Sequence, residues 1–320
     1  RVFIALGDSL NVLRIGRIVR AGKRIVTERR IELLFTVPWR CEFALAAYHL
    51  SRATGIPLYI FETDDWEAMN PHLAPGMLVR RHHSDMLHHA SKLWLISPAM
   101  VERYREKFGV EGRFLHHYVD AEVYARAARE RERLTDIGTV RIVYTGAINS
   151  MFFDTMRELC ALINQRIQTD GRSVALDIYG GGCPQEFLGQ HVHYRGFVAS
   201  HEIPAILAGA DVALIGVTFS TEPSIVELVR TSIYTKTIDY LAADRPVLIV
   251  APRYAAEVDY FRDVATIVDT LDRQRITDAI AALAREDHAM REQRRRGLEF
   301  VRTHHSLATM ANVFLRHFRR

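Results

Sequence analysis

Lys236 and Asp239 stand three residues apart in TKTIDYLAADRPVLIV, where an amphipathic stretch runs into an apolar one. A helix feeding a buried strand is predicted there, and residues three apart on a helix share a face. At about 100° per residue, Ile238, Leu241 and Ala242 fall on one side and Lys236, Asp239, Tyr240 and Ala243 on the other. The apolar side is expected to pack on a sheet, and the other side to face whatever lies beyond the strand ends. A helix N-terminus offers free N–H donors and partial positive charge, which favour phosphate. Lys236 adds a full charge at that end, and Asp239 offers two acceptor oxygens one turn deeper, suited to vicinal hydroxyls. A diphosphate followed by ribose fits these groups; the plainer alternative is an ordinary surface pair, which contributes little.

Three other groupings could carry chemistry. Asp64 and Asp65 follow the strand-like IPLYIFET, where one carboxylate could face a ligand and one could cap the next helix. In HHSDMLHH, His82, Asp85 and His89 fall at i, i+3 and i+7, a spacing open to metal ligation, although a surface helix in a histidine-rich chain accounts for it as well and no metal is expected. GDSL, with Ser9 after a strand-like run, resembles the nucleophile block of the SGNH esterases. Such a serine needs an oriented histidine base, and the DxxH at Asp85–His88 lies mid-chain in a helical stretch.

The elements that must position these residues alternate along the chain. IELLFTVPW, IPLYIFET and KLWLISP read as strands separated by helices, the signature of parallel strands with crossover helices. Apolar rhythm fades in AARERERL, the expected linker, and then restarts with VRIVYTG, VALDIYGGG, VHYRGF, DVALIGV, RPVLIV and VATIVD as strands. The tail from Ile276 is helical. Its REQRRR, Arg291–Arg296, is read first as a solvated face and second as a contact to anionic lipid heads.

Composition places bounds on function. The 320 residues are 48% hydrophobic and 25% charged, which suits two folded domains and excludes disorder as the default. A net charge of +4 from 42 basic and 38 acidic residues is mixed surface charge and selects no nucleic acid partner. Cys41, Cys160 and Cys183 contain no CxxC, in keeping with reduced thiols. No apolar run reaches the roughly 18 residues of a membrane span. The chain opens on Arg1 directly in strand-like RVFIALGD, so a preceding segment is expected.

The second half resembles the nucleotide-sugar-binding domain of GT-B glycosyltransferases similar to family 4 (glycosyl transferases group 1). IVYTGAI, LDIYGGG, VHYRGFVASHEIPAILAGADVALI and TKTIDYLAADRPVLI carry the resemblance, in the family's order and spacing. In the first half, LWLISPAMVERYREKFGVEGRFLHHYVDAEVY and GIPLYIFETDDWEAM resemble the end of the family's N-terminal domain. The resemblance implies two Rossmann-like doubly wound α/β domains facing a cleft, the N-terminal one truncated. Residues 1–125 would form the acceptor-side domain, 126–139 the linker, 140–300 the donor domain, and 301–320 a helix crossing back to the first domain.

By the same resemblance the protein transfers a sugar from a UDP- or GDP-sugar to a glycan or glycolipid acceptor, with retention and no cofactor. The expected setting is cytoplasmic, with peripheral contact at the inner membrane, in polysaccharide assembly. Lys236 would grip the diphosphate, Asp239 the ribose, and backbone at Gly146 the phosphates. Gly196, Phe197 and Val198 would receive the base, while Arg230, Thr231 and Ser232 complete the donor side. Asp64 and Asp65 are the candidate catalytic acids. Two departures stand out. Thr231 occupies the earlier of two positions where the family often has glutamate, the later being Asp239, and AINSMFFDT follows Gly146 where the family often has arginine and lysine. A non-catalytic nucleotide-sugar-binding protein and a Ser9 esterase remain the alternatives.

Overall fold

Strands paired in parallel and covered on both faces must be apolar throughout, and VALIG (Val212–Gly216) and VLIV (Val247–Val250) are buried at every position. The computed structural model describes residues 14–70, 76–130, 138–285 and 287–316; the GDSL block with Ser9 lies outside them. The chain divides into two compact units. One holds residues up to Leu115 together with Glu222–Ser232, and the other holds His116–Thr221 with Ile233 onward.

The first unit runs α1 (Ile15–Arg29), β1 (Leu34–Thr36), α2 (Cys41–Thr54), β2 (Leu58–Glu62), α3 (Trp66–Met69), α4 (Gly76–His89), β3 (Lys92–Leu95), α5 (Pro98–Phe108) and β4 (Arg113–Phe114). The four strands form one parallel sheet in the order β1-β2-β3-β4. Local signals set the helix ends. Ser97 accepts from Met100 N at 2.9 Å with Pro98 in the first turn, and Gly109 closes α5 in the left-handed region at φ 68°. Leu58, Ile60, Leu95, Met86, Met100 and Tyr104 form a core with no solvent exposure.

The second unit runs α6 (Ala121–Glu130), β5 (Thr139–Thr145), α7 (Phe153–Asn164), β6 (Gln168–Thr169), β7 (Arg172–Tyr179), β8 (Val192–Gly196), α8 (Ile203–Ala208) and β9 (Val212–Gly216). After α9 (Pro223–Thr231), which packs on α3 and α5 of the first unit's own sequence and is grouped with that unit, come α10 (Thr235–Ala242), β10 (Val247–Val250), α11 (Ala256–Phe261) and β11 (Thr266–Val268). Helices α12 (Arg273–Leu283), α13 (His288–His304) and α14 (Leu307–Leu315) follow. The sheet order is β11-β10-β9-β5-β7-β6, with β8 on β7; β6 alone among these strands is antiparallel. The order reverses beside β5, so crossovers lead away from it in both directions, and open sheets of this kind bind ligands outside the carboxyl ends of such strands. Among the described residues no helix is long and apolar enough to cross a membrane.

One helical face differs from the sequence expectation. Tyr240 has no exposed surface and Ala243 only 3%, whereas helical periodicity places both on the ligand-facing side of α10. The helix lies against β10, α6 and α13, so its buried arc is wider than one apolar stripe. A Cβ on Gly297 of α13 would come within 2.8 Å of Leu241, which shows how closely the two helices approach. Tyr240 is accommodated because its hydroxyl accepts from Thr145 N at 2.8 Å, at the end of β5. Tyr240→Phe therefore strands a buried backbone N–H. It is expected to cost about 1–3 kcal/mol, read as a lower urea midpoint; an unchanged midpoint would mean that Thr145 finds another acceptor.

Candidate functional site

Three glycines draw the carboxyl ends of β5, β7 and β8 together. Gly146 N donates to Tyr179 O at 2.7 Å and Gly180 N to Gly196 O at 3.0 Å. A Cβ on Gly180 would sit 2.2 Å from the Gly146 carbonyl oxygen, so only glycine permits this approach. Gly146 adopts φ 121° and Gly196 φ 88°, which turn the backbone at both strand ends. Beyond β8, Phe197 is 79% exposed and Val198 half-buried.

Lys236 folds over the Gly146 turn: a Cβ on Gly146 would lie 2.3 Å from its Cε. Its Nζ is 3.9 Å from the Phe152 ring centroid, 5.3 Å from Tyr144 and 5.8 Å from Tyr234, an aromatic cage for a cation. Burial pushes the ammonium pKa down to about 8, opposed through space by Glu257. Glu257, on α11 and fully buried, accepts from Tyr234 N, on the residue before α10, at 2.9 Å and from the Thr237 hydroxyl in the first turn of α10. Burial pushes its carboxyl up to about 7 against those hydrogen bonds and Lys236. Neither Glu257 nor the aromatic cage is marked in the sequence. Both reach Lys236 across the fold, and no local spacing announces them.

Asp239 lies one turn along α10, its side chain a quarter exposed. Its Oδ1 accepts from the Tyr124 hydroxyl at 2.7 Å, and His117 Nε2 lies 3.7 Å from the same oxygen. Gly146, Gly196 and Lys236 thus converge in the second unit, with Asp239 on the next turn of the same helix. They could hold an anion at the glycine turn and hydroxyl groups at Asp239.

Asp64, Asp65, Arg230, Thr231 and Ser232 belong to the first unit. Asp65 is fully buried and caps α3, accepting from Ala68 N at 2.8 Å. Asp64 accepts from Ser232 Oγ at 3.4 Å, and burial pushes its carboxyl up to about 6 despite that bond. Thr231 is buried, its hydroxyl bonded to Glu227 O at 2.8 Å, while Arg230 is exposed. His82 and His89 turn to separate neighbours, His82 to the ring of His49 and His89 to Ser51 at 2.8 Å. The intervening His83 is the buried one, 3.0 Å from Glu62 and 3.8 Å from Glu67. Burial alone would lower its pKa, but hydrogen bonds to these two acids outweigh burial and push it up to about 9. Lys107, 2.9 Å from Glu67, completes this paired cluster.

Comparison with known proteins follows the same outline. Residues 152–316 match a family described as glycosyl transferase-like. Sucrose-phosphate synthase from Thermosynechococcus elongatus superimposes with a TM-score of 0.72 at 14% identity, covering 96% of this chain and 78% of that one. HepE from Anabaena, solved in complex with UDP and glucose, gives 0.70 at 12% identity over 95% and 80%. A trehalose 6-phosphate synthase from Burkholderia multivorans gives 0.67 at 12% over 94% and 75%. No curated protein sequence matches this chain closely enough to count as a relative.

The charge on Lys236 sets a pH dependence. The full positive charge that attracts an anion to the glycine turn is present only on the protonated amine, so diphosphate affinity is expected to fall as pH rises through about 8. The loss approaches about tenfold per pH unit above that point. Stability of the unliganded chain runs the other way. The lysine pKa is lower folded than unfolded, so the unfolded chain holds the extra proton between about 8 and 10.5, and this group favours folding more as pH rises there. Calorimetric titration with pyrophosphate from pH 7 to 10 checks the first statement; an affinity flat across pH 8 would remove Lys236 from the anion site.

Proposed function

Because the chain belongs to the glycosyl transferase-like family, we propose that it moves a hexosyl group from a UDP- or GDP-sugar to a glycan or glycolipid acceptor, with retention at the anomeric carbon. The chain has the GT-B fold of the solved glycosyltransferases it resembles. The observation that carries the donor assignment is the packing of Lys236 over the Gly146 turn at the start of α10, with Asp239 one turn on. That HepE was solved with UDP, and also with UDP-glucose, supports a uridine donor.

The departing nucleoside diphosphate gains negative charge in the transition state. Lys236 and the free N–H groups of α10 would meet that charge without reorganising, which is where such groups act most strongly. Gly146 lets backbone approach the phosphates, Gly196 to Val198 offers backbone to the base, and Asp239 accepts from the ribose. A front-side retaining transfer needs no protein base. Should the acceptor hydroxyl require one, Asp64 suits it, since a carboxyl at about 6 can take up a proton near neutrality; Asp65 is committed to its cap.

The proposed setting is cytoplasmic, with peripheral contact at an anionic membrane face. The REQRRR segment supports this less than α1 does. Arg294 pairs with Asp244, and Arg295 with Glu292 and Glu299, whereas Arg17, Arg20, Lys23 and Arg24 of α1 are exposed around one acid, Glu28.

Lys236→Ala is expected to lower transfer from the donor about 100-fold, the scale of losing one charge-stabilising group. Turnover within a few-fold of the parent would discard the proposed role. Since the positive charge comes from the chain, transfer is also expected to continue in EDTA, and abolition by chelation would require a bound cation. A non-catalytic binder would retain diphosphate affinity through Lys236 and Asp239 yet release no product from any donor and acceptor.

A further inference from the structure

The second unit places two further side chains on Asp239, both from the segment that opens this unit, where nothing in the sequence marks a ligand site. Tyr124 is 8% exposed and donates its hydroxyl to Oδ1 at 2.7 Å; burial first, and the carboxylate second, push its phenol pKa upward, so it stays a donor. His117 is different. Its side chain is 40% exposed, and its Nε2 lies 3.7 Å from the same oxygen. Among the described residues both contacts fall on Oδ1 and none on Oδ2.

The segment carrying His117 is held from below. The His117 carbonyl oxygen lies 3.0 Å from His305 Nδ1, and Val119 N donates to His305 O at 2.9 Å. His305 has no exposed surface, and burial pushes its pKa down to about 4, so its ring is neutral at physiological pH. A neutral imidazole carries one N–H. With Nδ1 donating to a carbonyl, Nε2 must accept, and the Tyr260 hydroxyl stands 2.9 Å from it. The neighbouring His116 ring, also pushed down by burial to about 3, lies 5.3 Å from His305, and its Nε2 is 3.3 Å from Ile233 O. Buried neutral histidines therefore fix the backbone on either side of His117, while the His117 ring itself faces solvent beside Asp239.

A vicinal diol presents two hydroxyls and needs two partners. Tyr124 and His117 both crowd Oδ1, so Oδ2 is the open oxygen for one hydroxyl, and the exposed imidazole beside it is placed to meet the other. We propose that His117 is the second ribose-binding group of this site and that Tyr124 is the positioning residue that holds Asp239 with Oδ2 presented. The ribose would then be read by a carboxylate and an imidazole from two separate parts of the chain. This rests on the donor-site reading of Lys236 and Asp239.

The test is calorimetric binding of UDP, GDP and ADP to the full chain, followed by the 2′-deoxy and 3′-deoxy forms of whichever binds tightest. The parent protein is expected to lose about tenfold in affinity for either deoxy form, the usual worth of one hydrogen bond to a charged or strongly polar group. His117→Ala should erase one of those two losses and keep the other. Tyr124→Phe should shrink both, because the carboxylate is no longer held. Since His117 is exposed, its replacement is expected to leave the thermal midpoint unchanged, which separates lost recognition from lost folding. If His117→Ala keeps both losses, the inference is overturned while the donor site stands, provided that Lys236→Ala still weakens all three nucleotides alike. If no diphosphate binds, or Lys236→Ala leaves binding unchanged, the donor site itself is wrong and the inference goes with it.

Discussion

A partly buried ammonium group at the end of β5 is the constraint on which the second unit turns. Lys236 is only partly exposed, and burial disfavours its charged form. Three features keep the charge affordable at neutral pH: the Phe152 face at 3.9 Å, two further aromatic rings, and the field of Glu257. Each of these dictates something else. Phe152 must be at the start of α7, Gly146 must lack a side chain for Lys236 to pass over it, and Glu257 must enter from α11.

Glu257 serves two needs with one carboxylate. Tyr234 N, on the residue that precedes α10, and the Thr237 hydroxyl both bond to this acid, which ties the start of the helix to α11 and leaves the helix's own first N–H groups without a side-chain cap. The same acid opposes the loss of the lysine proton. Burial raises the Glu257 pKa to about 7 and lowers that of Lys236 to about 8, and the field of each group favours the charge of the other. A ligand anion arriving at Lys236 would favour its charged form and, through it, change the proton held by Glu257. Glu257, Lys236 and the anion site are thus linked electrostatically.

What the sequence made legible follows from the range of each interaction. Parallel strands, helix caps and the glycine turn are local: VALIG and VLIV are apolar throughout, Ser97-Pro98 starts a helix, and Gly146 ends a strand. Lys236 and Asp239 could be singled out because their chemistry and spacing sit within one helical turn. Tyr240 was misplaced because helical periodicity assumes one buried face, whereas α10 is packed on several sides. Glu257 and Tyr124 were invisible for a different reason: they meet α10 from 23 and 115 residues away, through contacts that only the folded chain creates. His83 escaped in the same way. Its neighbour His82 carried the helical spacing, but the acids that raise its pKa come from β2 and α3.

His83 in the first unit and Lys236 in the second are compensated in opposite ways, and the contrast bears on function. In the first, His83 has Glu62 at 3.0 Å and Glu67 at 3.8 Å, Lys107 lies 2.9 Å from Glu67, and the Trp66 ring covers the imidazole at 4.7 Å. Its charges are paired, which is what a structural network needs, since a buried charge without its partner is strongly destabilising. In the second, Lys236 meets aromatic faces and an acid already engaged by Tyr234 and Thr237, so its positive charge is tolerated but not neutralised. A structural lysine would gain from a direct carboxylate partner. One that must receive an anion gains from leaving that place open, because a permanent ion pair would have to be broken before the ligand could bind. Incomplete compensation at Lys236, beside a turn where glycine brings backbone within reach, is therefore the physical trait that separates a donor site from the ordinary buried network in the first unit.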